Sequence, residues 1–120
     1  MIFLIMASLF LGTPNMEVPQ LLIKVISAEA WEKSQESGVL FLETMDSKDG
    51  YIHMATEEQV LRVIQKFWNG KKYILLYLDP SKFTGTLKYE SNPGSESKYY
   101  HLYDGSIPLS AVTNVILHKM

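Results

Sequence analysis

From residue 20 onward, short apolar runs alternate with polar breaks, and each run is only long enough for a strand or a two- to three-turn helix. Leu21-Leu22-Ile23-Lys24-Val25-Ile26 is rich in β-branched residues and predicts a strand. Ser27 follows as a helix N-cap, Ala28 to Ser37 as the helix and Gly38 as its stop. Val39-Leu40-Phe41-Leu42 fits a short strand or an extended arm. Asp46-Ser47-Lys48-Asp49-Gly50 reads as a polar turn leading into a short strand, Tyr51-Ile52-His53-Met54. Thr56 and Gln59 form a capping box, and the helix they open carries Val60, Leu61, Ile64, Phe67 and Trp68 as its inner stripe, ending at Gly70. Its outer face holds Glu57, Glu58, Arg62, Gln65 and Lys66, so an i,i+4 pair between Glu58 and Arg62 is expected.

Tyr73 to Leu78 is continuously apolar, which predicts a central strand covered on both faces and ended by Asp79-Pro80. Thr86 to Glu90 and Tyr99 to Tyr103 alternate as strands, separated by a loop with Asn92-Pro93-Gly94 inside it. Pro108 to Val112 fits one helical turn and Asn114 to His118 a last strand. Two helices among six or seven short strands imply an α+β fold. We expect a single domain with a curved, mixed or antiparallel sheet and two main helices.

Period-two alternation then locates candidate chemistry. If Ile52 and Met54 face the helix-covered core, Tyr51 and His53 face the other way, and the same holds for Tyr99, His101 and Tyr103. Such a surface can stack an aromatic base and hydrogen-bond a ribose or phosphate, which makes Tyr51, His53, His101 and Tyr103 candidate ligand contacts. The competing reading is that these are ordinary amphipathic strand residues with polar tips in water. Glu90 is a candidate acid–base carboxylate or a solvated strand residue, whereas Asp46 and Asp49 read as turn residues. Trp31 is expected as a core anchor and His118 as a strand-end residue.

Composition narrows the classes. The chain has 120 residues, 47% apolar and 20% charged, which suits one domain. Eleven basic against thirteen acidic residues leave a charge of −2, and Arg62 is the only arginine, which argues against a nucleic-acid binder. The absence of cysteine excludes thiol catalysis, disulfides and cysteine-ligated metals, and the three histidines lack zinc spacing, so no metal is expected. No dinucleotide, phosphate-loop or nucleophile-elbow motif occurs. Met1 to Leu11 is apolar but shorter than the roughly 20 residues needed to span a bilayer. Residues 1–19 are expected to be an extension, with Met16 a candidate start, and residues 20–120 the domain. A cytoplasmic location is expected, secretion or membrane attachment through residues 1–12 being the alternative. The oligomeric state stays open.

Ile23-Lys24-Val25-Ile26-Ser27-Ala28-Glu29-Ala30-Trp31, Asp49-Gly50-Tyr51-Ile52-His53-Met54-Ala55-Thr56-Glu57-Glu58-Gln59-Val60, Leu76-Tyr77-Leu78-Asp79-Pro80, Leu87-Lys88-Tyr89-Glu90 and His101-Leu102-Tyr103 together resemble the domain of unknown function 952 family. The likeness covers about residues 21–118, although family members commonly carry serine at the position of Ala55. The resemblance implies an ADP-ribosyltransferase-like fold. Tyr51 to Asp79 is also similar to the NAD-binding half of the RNA 2′-phosphotransferases, which implies roles for His53 and Thr56 in an NAD site. On Tyr89-Glu90 alone, the resemblance further implies Glu90 as the counterpart of the glutamate of NAD-dependent transferases. Those phosphotransferases carry a further lobe and several arginines that grip phosphate, and this chain has neither. The expected function is binding or processing of NAD, ADP-ribose or a related nucleotide, through ADP-ribosyl or glycosyl transfer if the protein is an enzyme. The alternative is a non-catalytic protein- or metabolite-binding module on the same scaffold.

Overall fold

A computed structural model describes residues 18–118 of the chain. Its elements are β1 (Leu22–Ile26), α1 (Ala28–Ser37), α2 (Thr44–Asp49), β2 (Ile52–Met54), α3 (Glu57–Phe67), β3 (Tyr73–Leu78), β4 (Thr86–Ser91), β5 (Lys98–Tyr103) and β6 (Val112–His118). Short 3-10 turns lie at Pro80–Lys82 and Leu109–Ala111. The apolar run Met1 to Leu11 lies outside the described residues, and among those described no helix is long and apolar enough to cross a membrane.

The strands form two three-stranded antiparallel sheets, ordered β1-β3-β6 and β2-β5-β4. The expected single curved sheet is therefore divided, and its two parts meet where Ile23 and Ala55 exchange backbone hydrogen bonds of 2.8 and 2.9 Å. Among the described residues the architecture is a single α+β domain with three helices rather than two. α2 stands where a polar turn was expected, because the residues around it satisfy a short helix at both ends. Glu43 and Asp46 make a reciprocal capping box, and Gly50 closes the helix at φ 85°, a backbone conformation costly for any residue with a Cβ. Glu43 also accepts a hydrogen bond of 2.8 Å from the Ser27 backbone, tying α2 to the start of α1. Val39 to Leu42 forms no strand beyond a single bridge from Val39 to Pro108 and is the extended arm.

The core lies between the sheets and α1: Leu22, Ile26, Ala30, Ile52, Met54, Ile74, Leu76, Leu78 and Leu102 are buried there, with Trp31 packed against them. β3 is the middle strand of its sheet, but its burial alternates. Ile74, Leu76 and Leu78 are buried and Tyr73, Leu75 and Tyr77 only half-buried, so one face is sealed and the other partly open. α3 departs further from expectation. No residue of it is buried, and Leu61 is 62% and Phe67 40% exposed. It packs against β1 from outside the main core, whose inner space α1 already fills, so its apolar stripe meets only a partial cover. Among the described residues, the i,i+4 pair between a lysine or arginine and an acid is Glu29–Lys33 in α1, and Arg62 stands exposed without the expected Glu58 pair.

Candidate functional site

The sheet β2-β5-β4 turns one face to the core and the other outward, and its register decides which residues go where. Ile52 pairs with Leu102 and Leu102 with Leu87 on the core side, so His53, His101 and Lys88 align in one row on the other side. Tyr103, Glu90 and Tyr51 join that row at its flanks. Tyr51 lies at the middle of the group, stacked on His101 at 4.0 Å and tilted against His53 at 4.6 Å and Tyr103 at 5.2 Å. The two imidazoles meet edge to face at 5.5 Å.

Behind His53 lies a charged network that begins with Lys24. This lysine occupies a strand position between Leu22 and Ile26 and is 5% exposed, a placement that requires an acid partner. Asp46 supplies it, with the Lys24 Nζ 3.0 Å from Oδ1 and 2.8 Å from Oδ2. The same carboxylate accepts from the His53 backbone N–H at 3.0 Å, from the Glu43 backbone N–H at 3.3 Å and from His53 Nδ1 at 2.6 Å. Burial by itself would raise the Asp46 pKa, but the hydrogen bonds from His53 and the charge of Lys24 outweigh it and hold the group at about 2. His53 Nε2 lies 2.9 Å from Asp49 Oδ2.

His101 is fully buried. Its Nδ1 lies 2.9 Å from Glu90 Oε2 and its Nε2 2.8 Å from the Asn92 side-chain amide. Burial pushes its pKa below the ordinary histidine value, opposed by Glu90. The Asn92 atom facing Nε2 is Oδ1, which accepts from Nε2–H; in the neutral ring that donates Nδ1–H to Glu90, the Asn92 amide turns over to present its NH₂ to Nε2. The Tyr103 hydroxyl also donates to Glu90 Oε2. That bond holds Glu90 below the usual carboxylate range and pushes Tyr103 up to about 12. Lys88 Nζ sits 4.7 Å from the centre of the Tyr103 ring.

Of the residues singled out from sequence, Tyr51, His53, Glu90, His101 and Tyr103 come together in this cluster. Thr56 does not join it. It caps α3, its backbone N–H donating 3.0 Å to Gln59 Oε1, and lines a separate cavity of about 410 Å³ with Pro19, Gln20, Leu21, Glu57 and Glu58. His118 stacks on Tyr73 at 4.5 Å at the end of β6. Asp46, Asp49, Lys24 and Asn92 belong to the cluster and were not singled out as its members. The available signal was Lys24 itself, one charge inside a six-residue apolar run, which calls for a buried acid elsewhere in the chain. Glu43-Thr44-Met45-Asp46 also has capping-box spacing.

These features define a class: a small two-sheet α+β domain with a histidine- and tyrosine-rich sheet face backed by buried charge. The chain belongs to the DUF952 family of proteins of unknown function, whose model matches residues 25–115. Among solved structures it is similar to protein CC0527 from Caulobacter crescentus, at 26% identity and a TM-score of 0.73 over 83% of this chain and 87% of that one. A double mutant of CC0527 matches at 27% identity with the same TM-score and coverage. The solution structure of CC0527 matches at 25% identity and 0.65 over 81% of this chain and 83% of that one. No curated protein matches the chain.

Proposed function

We propose that the outer face of β2, β5 and β4 binds NAD, ADP-ribose or a related nucleotide, and that any reaction there is an ADP-ribosyl or glycosyl transfer. The observation that carries this reading is the state of Glu90. Its Oε2 is fixed by His101 Nδ1 and the Tyr103 hydroxyl, while Oε1 has no hydrogen-bond partner among the described residues. A carboxylate held in place and kept ionised, with one oxygen open, suits the hydroxyls of a ribose and the positive charge that develops on its ring during transfer. Tyr51 supplies an aromatic surface for a base, and Lys88 a donor for phosphate oxygens. The family resemblance to NAD-handling folds supplies the ligand class.

Titration of the full chain with NAD, ADP-ribose and AMP by calorimetry tests the reading. We expect saturable binding that is lost in His53→Ala and weakened about tenfold in Glu90→Gln, the usual scale for one hydrogen bond to a charged group. Silence with all three ligands overturns it. That result would favour the non-catalytic module, which one observation already supports: His101 is fully buried, and both its ring nitrogens are bonded within the protein.

A further inference from the structure

Asp46 and Asp49 bracket the His53 ring from the same short helix, Asp46 on Nδ1 and Asp49 on Nε2, and the two carboxylates are not equivalent. Asp46 is 2% exposed and bound by Lys24 and by the backbone N–H groups of Glu43 and His53. It cannot leave the imidazole without stranding the buried ammonium. Asp49 is an exposed residue at the end of α2, and among the described residues its carboxylate has no partner other than His53. It can swing into water at little cost. Because a carboxylate only accepts hydrogen bonds, the fixed Asp46 demands a proton on Nδ1, and the lone pair of the neutral ring is left on Nε2. Nε2 therefore points to the one side of the ring whose neighbour can move.

We infer that Asp46 and His53 form a carboxylate–imidazole dyad in which Nε2 accepts a proton from a ribose hydroxyl of the bound nucleotide, with Asp46 as the positioning residue. This rests on the nucleotide reading above. In the step the hydroxyl O–H bond breaks, its electron pair stays on oxygen, and the proton forms an Nε2–H bond. The imidazolium so produced keeps its Nδ1–H on Asp46 at 2.6 Å, so its charge is stabilised where it forms, and Asp49, which lies 2.9 Å from Nε2 in the unliganded site, takes up the Nε2–H once the nucleotide oxygen has left. The other groups facing the ring are Tyr51 and His101, and neither bonds its nitrogens.

Nitrogen NMR of the full, isotope-labelled chain at alkaline pH reads the tautomer directly. We expect His53 to carry its proton on Nδ1, to shift toward the Nε2–H form in Asp46→Asn, and to show an Nε2 resonance that moves on adding ADP-ribose. A wild-type neutral ring protonated on Nε2 overturns the dyad whatever ADP-ribose does. An Nδ1–H ring with no response to ADP-ribose by NMR or calorimetry removes the nucleotide and leaves the dyad standing, so the two readings fail separately. Should Asp46→Asn not fold, Asp49→Ala is the second variant. It is expected to keep the Nδ1–H tautomer and to speed carbethoxylation of His53 by diethyl pyrocarbonate several-fold, and an unchanged rate would refute the place given to Asp49.

Discussion

Lys24 and Asp46 form the pair on which the site rests, and the two halves of that pair are not interchangeable. Without the Lys24 ammonium, Asp46 still accepts from His53 Nδ1 and from two backbone N–H groups, so its charge remains partly compensated. Without the Asp46 charge, the ammonium is left 5% exposed in an apolar strand. Breaking a buried pair from that side costs about 3–5 kcal/mol. Urea unfolding should therefore find Asp46→Asn more destabilised than Lys24→Met, and the double variant should be more stable than Asp46→Asn alone. A double variant no better than the single one would show that Lys24 is not stranded. At this scale the sequence was half legible. The outward row Tyr51, His53, Lys88, Glu90, His101 and Tyr103 follows from strand alternation, because period two needs no knowledge of tertiary contacts. Asp46 was hidden because a polar run ending in glycine satisfies turn chemistry equally well, and only the partner buried on β1 distinguishes the two.

Among the elements, α3 and the β3–β4 connection make opposite demands on their residues. The stripe of α3 has the period of a core helix, yet Leu61 is 62% exposed, since amphipathicity reports a preferred face and not how completely a neighbour covers it. Leu61→Ser should change stability by no more than about 0.5 kcal/mol, the range of surface substitutions. Gly85 lies in that connection, just before β4. Its φ of +91° and the backbone of Tyr103 and Gly105 pressed against it leave no room for a Cβ. Gly85→Ala should cost about 3 kcal/mol or more, because the obstructing atoms are backbone and cannot swing aside. It should also disturb Tyr103 and through it Glu90. Thermal melts of the two variants side by side check both expectations, and a Leu61→Ser loss as large as that of Gly85→Ala would restore α3 to the core.

For the molecule as a whole, the two sheets are held together by a backbone bridge, a shared core and the buried polar groups of the site, so the titration of those groups is written into the stability of the fold. His101 binds a proton less readily folded than unfolded because burial depresses its pKa. Its contribution is complete above the ordinary histidine value of about 6.5 and is lost as pH falls through the lower folded value. Asp46 acts in a separate window. Its folded pKa of about 2 lies below the ordinary 3.8, so its contribution is complete above about pH 4 and is lost as pH falls through about 2. A difference of nearly two pKa units corresponds to about 2 kcal/mol. Denaturant unfolding across pH should therefore show stability falling in two stages on acidification, the first beginning near neutrality and the second below pH 4. His101→Gln should remove the first stage and keep the second, and Asp46→Asn should do the reverse. If both stages survive in both variants, the acid response belongs to other groups, and the buried network is electrostatically neutral to folding.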